Sequence, residues 1–253
     1  MHNTSPDIRD LPAGGFRFIP AVFQYSAGVA ALPGHEIRRV TFRTPVPLAR
    51  GFERIERIIT EAGRPLTSFC ACELRSPAPF TEPGFRAFNE SYVVTLEKWG
   101  VFDGTTNPVA RSNVCPAIGP PNEPSFHAFS FTVAASSPAK SFVLAGSAEA
   151  AEGKGNYRDH TVRLGETSPD AMGEKARFAL AEIERRLGLL GLGWADTTAT
   201  QVYTVQDIHP FLADEIVRRG AARSGLTWHY SRPPVRDLEF EVDCRGVNWE
   251  SVV

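Results

Sequence analysis

The chain has 253 residues, a formal net charge of -2, 42% hydrophobic and 22% charged residues, and 20 prolines scattered along its length. Its basic residues form no run longer than two, which excludes the electrostatic footprint of a nucleic-acid partner. No 18-residue apolar stretch offers a membrane span and "MHNTSPDIRDLPAGG" lacks the apolar centre of a secretory signal, so a cytoplasmic protein with no membrane partner is expected.

Residues 1–15 read as a polar tail. An apolar stretch, "FRFIPAVFQYSAGVAAL", follows, and then a polar strand, "EIRRVTFRT". In "PLARGFERIERIITEAG" the residues Phe52, Ile55, Ile58, Ile59 and Ala62 recur at three- and four-residue spacing, which predicts one face of a helix closed by Gly63. "TSFCACELRS" alternates as a strand, with Cys70 and Cys72 on the same side as small core residues. A proline-rich loop, a helix over "FRAFNESYVVTLEKWG", and strands at "VARSNVCPAI" and "SFHAFSFTV" complete the first half.

The second half repeats this order. "SFVLAGSAEA" opens it, its Ala145-Gly146 answering Ala27-Gly28, and "HTVRLGET" is the expected polar strand. From Asp170 to Leu190 the residues Met172, Ala176, Ala179, Ile183 and Leu187 share a helical face, ending at Gly191. "TTATQVYTVQD" reads as a strand, "HPFLADEIVRRGA" as a short helix, and "RSGLTWHYS" and "RDLEFEVDC" as the closing strands. The fold expected is therefore α+β, a ββαβαββ unit used twice, at 16–135 and 136–253, with a mixed sheet and helices on one face of it.

Neither the four cysteines nor the six histidines carry a CxxC, HxH or HxxxH spacing, so no metal site is expected. Ala-Arg-Ser precedes an extended apolar segment twice, at Arg111 and at Arg223. An Arg at a sheet end can hold a carboxylate through both arms of its planar fork, although pairing with surface acids is the ordinary fate of an arginine. In "RDLEFEVDC" the apolar Leu238, Phe240 and Val242 alternate with Glu239, Glu241 and Asp243. Three like charges on one sheet face are tolerable where that face is solvated, paired to arginines or used for chemistry. A carboxylate beside an Arg can orient and deprotonate a water, and Glu239 is the candidate. Trp228 on the strand after Arg223 could wall the pocket or simply pack.

At these residues the chain resembles a tandem member of the Rid/YjgF family of enamine and imine deaminases, a family that includes 2-aminomuconate deaminase-like proteins. The resemblance runs from about Phe16 to Gly246. It rests on "SAG" and "LAG", "GFERIERIITEAG" and "EIERRLGLLG", "FRAFNESY", "PVARSNV" and "AARSGLTW", and "LEFEVDC". It implies a chorismate-mutase-like fold assembled as a homotrimer, with clefts between neighbouring units. It also implies that Arg111 and Arg223 bind the substrate carboxylate, that Glu239 activates water, and that Asn89 and Ser147 or Gly146 line the cleft. No cofactor is implied, and the partner is a small carboxylate substrate. The chain departs from the family pattern at Asn113 and Gly225, where the family's cysteine is expected, and it lacks a closing-strand acid in the first half. The site could thus combine Arg111 of one half with Glu239 of the other. A hydrolytic deaminase of a 2-imino or 2-enamino carboxylate, aminomuconate-like or aminoacrylate-like, is the reading. A ligand-binding protein without turnover, or a chorismatase-like enzyme on the same fold, are the alternatives.

Overall fold

A computed structural model describes residues 8–136, 140–154 and 156–253. The chain runs β1 (Arg9–Leu11), β2 (Phe16–Ile19), β3 (Gly28–Ala31), β4 (His35–Pro47), α1 (Leu48–Glu61), β5 (Phe69–Arg75), α2 (Glu82–Lys98), β6 (Ala110–Pro116) and β7 (Ser125–Ala134). It continues with β8 (Phe142–Leu144), β9 (Ser147–Ala148), α3 (Pro169–Leu189), β10 (Ala199–Tyr203) and α4 (His209–Phe211), the last running into a π-helical Leu212–Val217. β11 (Leu226–His229), β12 (Ser231–Arg232), β13 (Glu241–Gly246) and β14 (Trp249–Val252) close the chain. Among the described residues no helix is long and apolar enough to cross a membrane.

Two mixed sheets result, and each contains the same four-strand path. In the first, β5 is parallel to β6 and antiparallel to β7, which is antiparallel to β4. In the second, β10 is parallel to β11 and antiparallel to β13, which is antiparallel to β8. The two βαβαββ units therefore have one topology, and both exchange strands. The hairpin β2–β3 of the first half extends the second sheet through β8, while β12 and β14 from the second half take the two edges of the first sheet.

Each unit buries an apolar helical stripe against one face of its sheet, as the helical spacing requires. α1 points Phe52, Ile55 and Ile59 at Phe69, Phe126 and Phe129, and its last turn ends at Gly63 in the left-handed region (φ 68°). Thr81 caps α2 by accepting from the Gly84 N–H, and α2 adds Tyr92 and Leu96 to the same core. α3, capped by Ser168, packs Met172, Ala176, Ile183 and Leu187 against Phe142, Val202 and Val242. The opposite faces of the sheets meet over Phe16, Phe18, Val29, Ile37 and Ala110. They also meet across a buried polar network. Arg39 Nε donates to Glu73 (2.6 Å), Gln201 to Asp243 (3.0 Å), Tyr203 to Asp243 (2.9 Å) and Ser112 to Asp243 (2.5 Å).

Three sequence expectations change. "HTVRLGET" is not a strand: after a single bridge at Thr161 it turns, because Arg163 folds back to pair with Glu166, Asp170 and Glu174 at the start of α3. β8 occupies the sheet position that the long β4 fills in the first unit. Cys70 and Cys72, both buried, face different clusters, since the β5–β7 ladder shifts register between Phe69 and Ala71 and turns Cys70 to the inter-sheet side. Of the tail expected over 1–15, residues 1–7 lie outside the described ones and Arg9–Leu11 forms a strand with β2.

The inter-sheet ion pair is a testable dependence. Arg39 and Glu73 are 5% and 8% exposed, so removing one charge leaves the other buried without its closest partner. Glu73→Ala is expected to lower unfolding free energy by about 3 kcal/mol in urea titrations; a loss within experimental error would show that the network contributes nothing.

Candidate active site

Arg111 enters β6 pointing toward α2. Its guanidinium lies 4.8 Å from the ring of Tyr92, 5.3 Å from Tyr25, 5.6 Å from Phe88 and 5.8 Å from Phe85. Four aromatic faces stabilise the cation and exclude water from it. Nη2 donates to Asn89 Oδ1 at 2.6 Å, and Asn89 presents that oxygen because its Nδ2 is already donated to the Phe85 carbonyl one turn earlier (2.7 Å). Nη1 is buried and has no partner, and no carboxylate among the described residues pairs with this guanidinium. Two residues along the same face of β6, Asn113 uses Oδ1 to accept from Ser76 Oγ (2.9 Å) and leaves Nδ2 buried and unpartnered as well.

Both unmet donors line one cleft of about 440 Å3, mouth included. Buried cations and donors without partners are costly in a folded chain, and an acceptor with two oxygens, such as a carboxylate, is the kind of group that would satisfy both. The cleft is composite. The first half supplies Arg111, Asn113, Tyr25 and Phe85, and the second half supplies Gly146, Ala148, Ala150, Glu152, Tyr157, Val235, Leu238 and Glu241.

Two acids reach the cleft in different states. Glu152 is engaged: it accepts from Tyr25 Oη (3.0 Å) and pairs with Arg186 (3.1 Å). Glu241 is 4% exposed, and among the described residues no side chain hydrogen-bonds its carboxyl. Burial, with the charge of Asp243 two residues on, pushes Glu241 well above the usual carboxylate range, which favours its protonated form. The carboxyl lies against Gly146 so closely that a Cβ there would occupy its Oε1. Only glycine at 146 leaves Glu241 its place.

The residues expected from the sequence are thus divided. Arg111, Asn89 and Gly146 come together at the cleft. Ser147, one residue on, faces a neighbouring cavity with Arg186 instead. Glu239 stands before β13 begins and is engaged outside the cleft, accepting from Gln206 (3.0 Å) and Arg232 (3.3 Å). Arg223 sits in an exposed turn, and Trp228 is 38% exposed with its indole N–H donated to the Thr204 carbonyl. The register explains the difference. Cys72 pairs with Arg111 and Thr200 with Leu226, and Thr200 follows Cys72 by the same 128 residues that separate Gly63 from Gly191. Leu226, not Arg223, holds the place of Arg111 in the second unit. The acidic stripe of β13 is likewise not solvated: Glu241 and Asp243 point between the sheets. The sequence signal for Glu241 was the stripe itself; Asn113 stood out only as a departure from the family pattern, and nothing in the sequence singled out Tyr25 or Tyr157. Among the described residues no three His, Cys, Asp or Glu side chains converge as a metal-binding group.

Fold and site together define a double unit of chorismatase-like fold with a composite cleft between its halves, lined by two unmet donors and two acids. A solved chorismatase superposes with TM-score 0.52 at 11% identity over 87% of this chain and 77% of its own, a likeness of fold alone. The YjgF gene product of E. coli covers 43% of this chain and 80% of its own at 16% identity, with TM-score 0.33. The family model described as 2-aminomuconate deaminase CnbZ matches residues 8–251, and this chain belongs to that family. The 2-amino-5-chloromuconate deaminase of Comamonas testosteroni is 52% identical over 250 residues, 98% of this chain and 100% of that one.

The unmet donors give a direct binding test. By calorimetry with maleate as a dicarboxylate probe, Arg111→Met is expected to weaken binding by about 2 kcal/mol, roughly 30-fold. Arg223→Met should bind as the unaltered protein does. Equal losses in both variants would remove the cleft as the carboxylate site.

Proposed function

We propose that this protein is a hydrolytic deaminase of a 2-aminomuconate-type enamine, releasing ammonia and a 2-oxo acid. The observation that carries the reading is the presence, in one cleft, of Arg111 with an unmet donor and Glu241 with a buried carboxyl that no side chain among the described residues hydrogen-bonds. The 52% identical relative named 2-amino-5-chloromuconate deaminase supports the substrate class.

Arg111 Nη1 and Asn113 Nδ2 take the carboxylate next to the amino-bearing carbon and so fix that carbon in the cleft. The apolar wall of Phe85, Val235 and Leu238 lies along the carbon chain. Glu241, being protonated, gives its proton to an enamine carbon, and the amino-bearing carbon becomes an iminium whose charge the new carboxylate stabilises. The same carboxylate then takes a proton from water as the water oxygen bonds to that carbon. The carbinolamine nitrogen is protonated, the C–N bond breaks, ammonia leaves, and the hydroxyl proton is lost to give the 2-oxo acid. One enamine and one water yield one oxo acid and one ammonia. Each step is a proton transfer or the addition of water, chemistry for which one acid–base side chain suffices.

The pH dependence follows from the first step. Since the active form is the acid and its pKa is raised, kcat/KM falls as pH rises through that raised value, on the alkaline side of an ordinary carboxylate's range. Glu241→Gln is expected to lower ammonia release from 2-aminomuconate by about 100-fold or more and to abolish the alkaline limb. Glu239→Gln should keep both rate and limb. The reverse ranking, or a product formed without ammonia, would contradict the assignment.

A further inference from the structure

Directly behind the cleft lies a charged pair that none of these steps uses. Glu149 and Lys175 both have fully buried side chains and meet at 3.2 Å. A buried ion pair is weak evidence for stability, because desolvating two charges offsets most of their attraction. Its surroundings give it another role.

The β9–β13 ladder consists of Val242 opposite Ser147 and Glu241 opposite Ala148, and there it stops. Beyond that end, the backbone N–H groups of Phe240 and Glu239 are taken by the Glu149 side chain: Oε2 accepts from Phe240 (3.1 Å) and Oε1 from Glu239 (2.6 Å). Burial raises the Glu149 carboxyl above its ordinary range, while Lys175 and the two backbone donors act the other way; every contact to the two oxygens is a donor, with Lys175 Nζ as the third, an arrangement that suits a carboxylate. Ala148 and Ala150 on either side of Glu149 line the cleft, as do Leu238 and Glu241 on either side of the two clamped residues. One carboxylate thus fastens the two segments that form the second-half wall of the cleft, immediately before the residue that carries the proton.

We propose that Glu149, oriented by Lys175, is a positioning residue for the deamination: it fixes the Glu239–Phe240 backbone so that the Glu241 carboxyl faces the substrate carbon. This rests on the role given to Glu241 above. Glu149 touches no substrate, so its loss acts on turnover rather than on carboxylate binding, which Arg111 and Asn113 perform from the other half of the chain. In Glu149→Gln the amide turns an N–H of its own toward one of the two backbone donors, and the strand end loses its fixed place.

The test is steady-state ammonia release with thermal unfolding of the same samples. Glu149→Gln is expected to lose about 100-fold in kcat with KM nearly unchanged, the size of effect that a displaced catalytic group produces. Its Tm should fall, because Lys175 is left buried and unpaired. The double variant Glu149→Gln/Lys175→Met removes that charge and should regain Tm without regaining kcat. Glu149→Asp, which retains the charge but shortens the reach, should fold and lose about ten-fold in kcat. Recovery of kcat together with Tm in the double variant, or full kcat in Glu149→Asp, would make the pair purely structural and overturn the inference. Glu241→Gln, run beside them, separates the two levels: if it is active, the reading of the site fails, and if it is inactive while the Glu149 variants turn over normally, only the positioning role fails.

Discussion

A cation buried among four aromatic rings, with no carboxylate paired to it among the described residues, is the constraint on which this structure turns. Arg111 is 3% exposed, and among the described residues it meets one amide oxygen and four ring faces but no ion-pair partner. Such an arrangement is stable enough to fold because ring quadrupoles and the Asn89 hydrogen bond replace part of its hydration. Under the proposed function, an anionic substrate completes it. The aromatic cage also prevents the arginine from swinging out to a surface acid, so the binding geometry is set before ligand enters.

The second requirement, an acid whose pKa is raised by burial, is met by a different half of the chain. Glu241 is on β13, whose outer face would be solvated in an isolated sheet but here lies against the first unit. The exchange of β2–β3 into the second sheet, and of β12 and β14 into the first, holds the two units in the relation that desolvates Glu241 and places it across from Arg111. Clamp and acid are therefore separate in sequence, and the acid's protonation state is a consequence of how the units pack. The polar network of Arg39, Glu73, Gln201 and Asp243 adds specificity to that packing, since each of its groups is satisfied only in this register.

Much of this was legible in the sequence. The spacing of Phe52, Ile55 and Ile59 marked α1, Gly63 its end, and the repeated element order was recovered as two sheets with the same strand path. The family resemblance put Arg111, Asn89 and Ser147 or Gly146 at a cleft, and of these Arg111, Asn89 and Gly146 lie together. What failed did so where a short motif competed with register. "AARS" at 221–224 resembles "VARS" at 109–112, yet the strand ladder places Leu226 opposite Thr200 where Arg111 stands opposite Cys72. Glu239 and Glu241 differ by two residues in an alternating stripe, so periodicity gives them the same face; the strand begins only at the second. A β-bulge separated Cys70 from Cys72, and an arginine fold-back replaced the strand expected at "HTVRLGET". Each of these depends on contacts distant in the chain, which local pattern does not contain.

The account stands most directly on the protonation state of one side chain. Difference infrared spectroscopy of the wild-type protein against Glu241→Gln at neutral pH reads it without reference to turnover. The account requires the carbonyl stretch of a protonated carboxyl in the wild type, absent from the variant and lost from the wild type as pH is raised. A difference spectrum showing only carboxylate bands at neutral pH would mean that Glu241 is ionised, and the proton that starts the reaction would have to come from elsewhere.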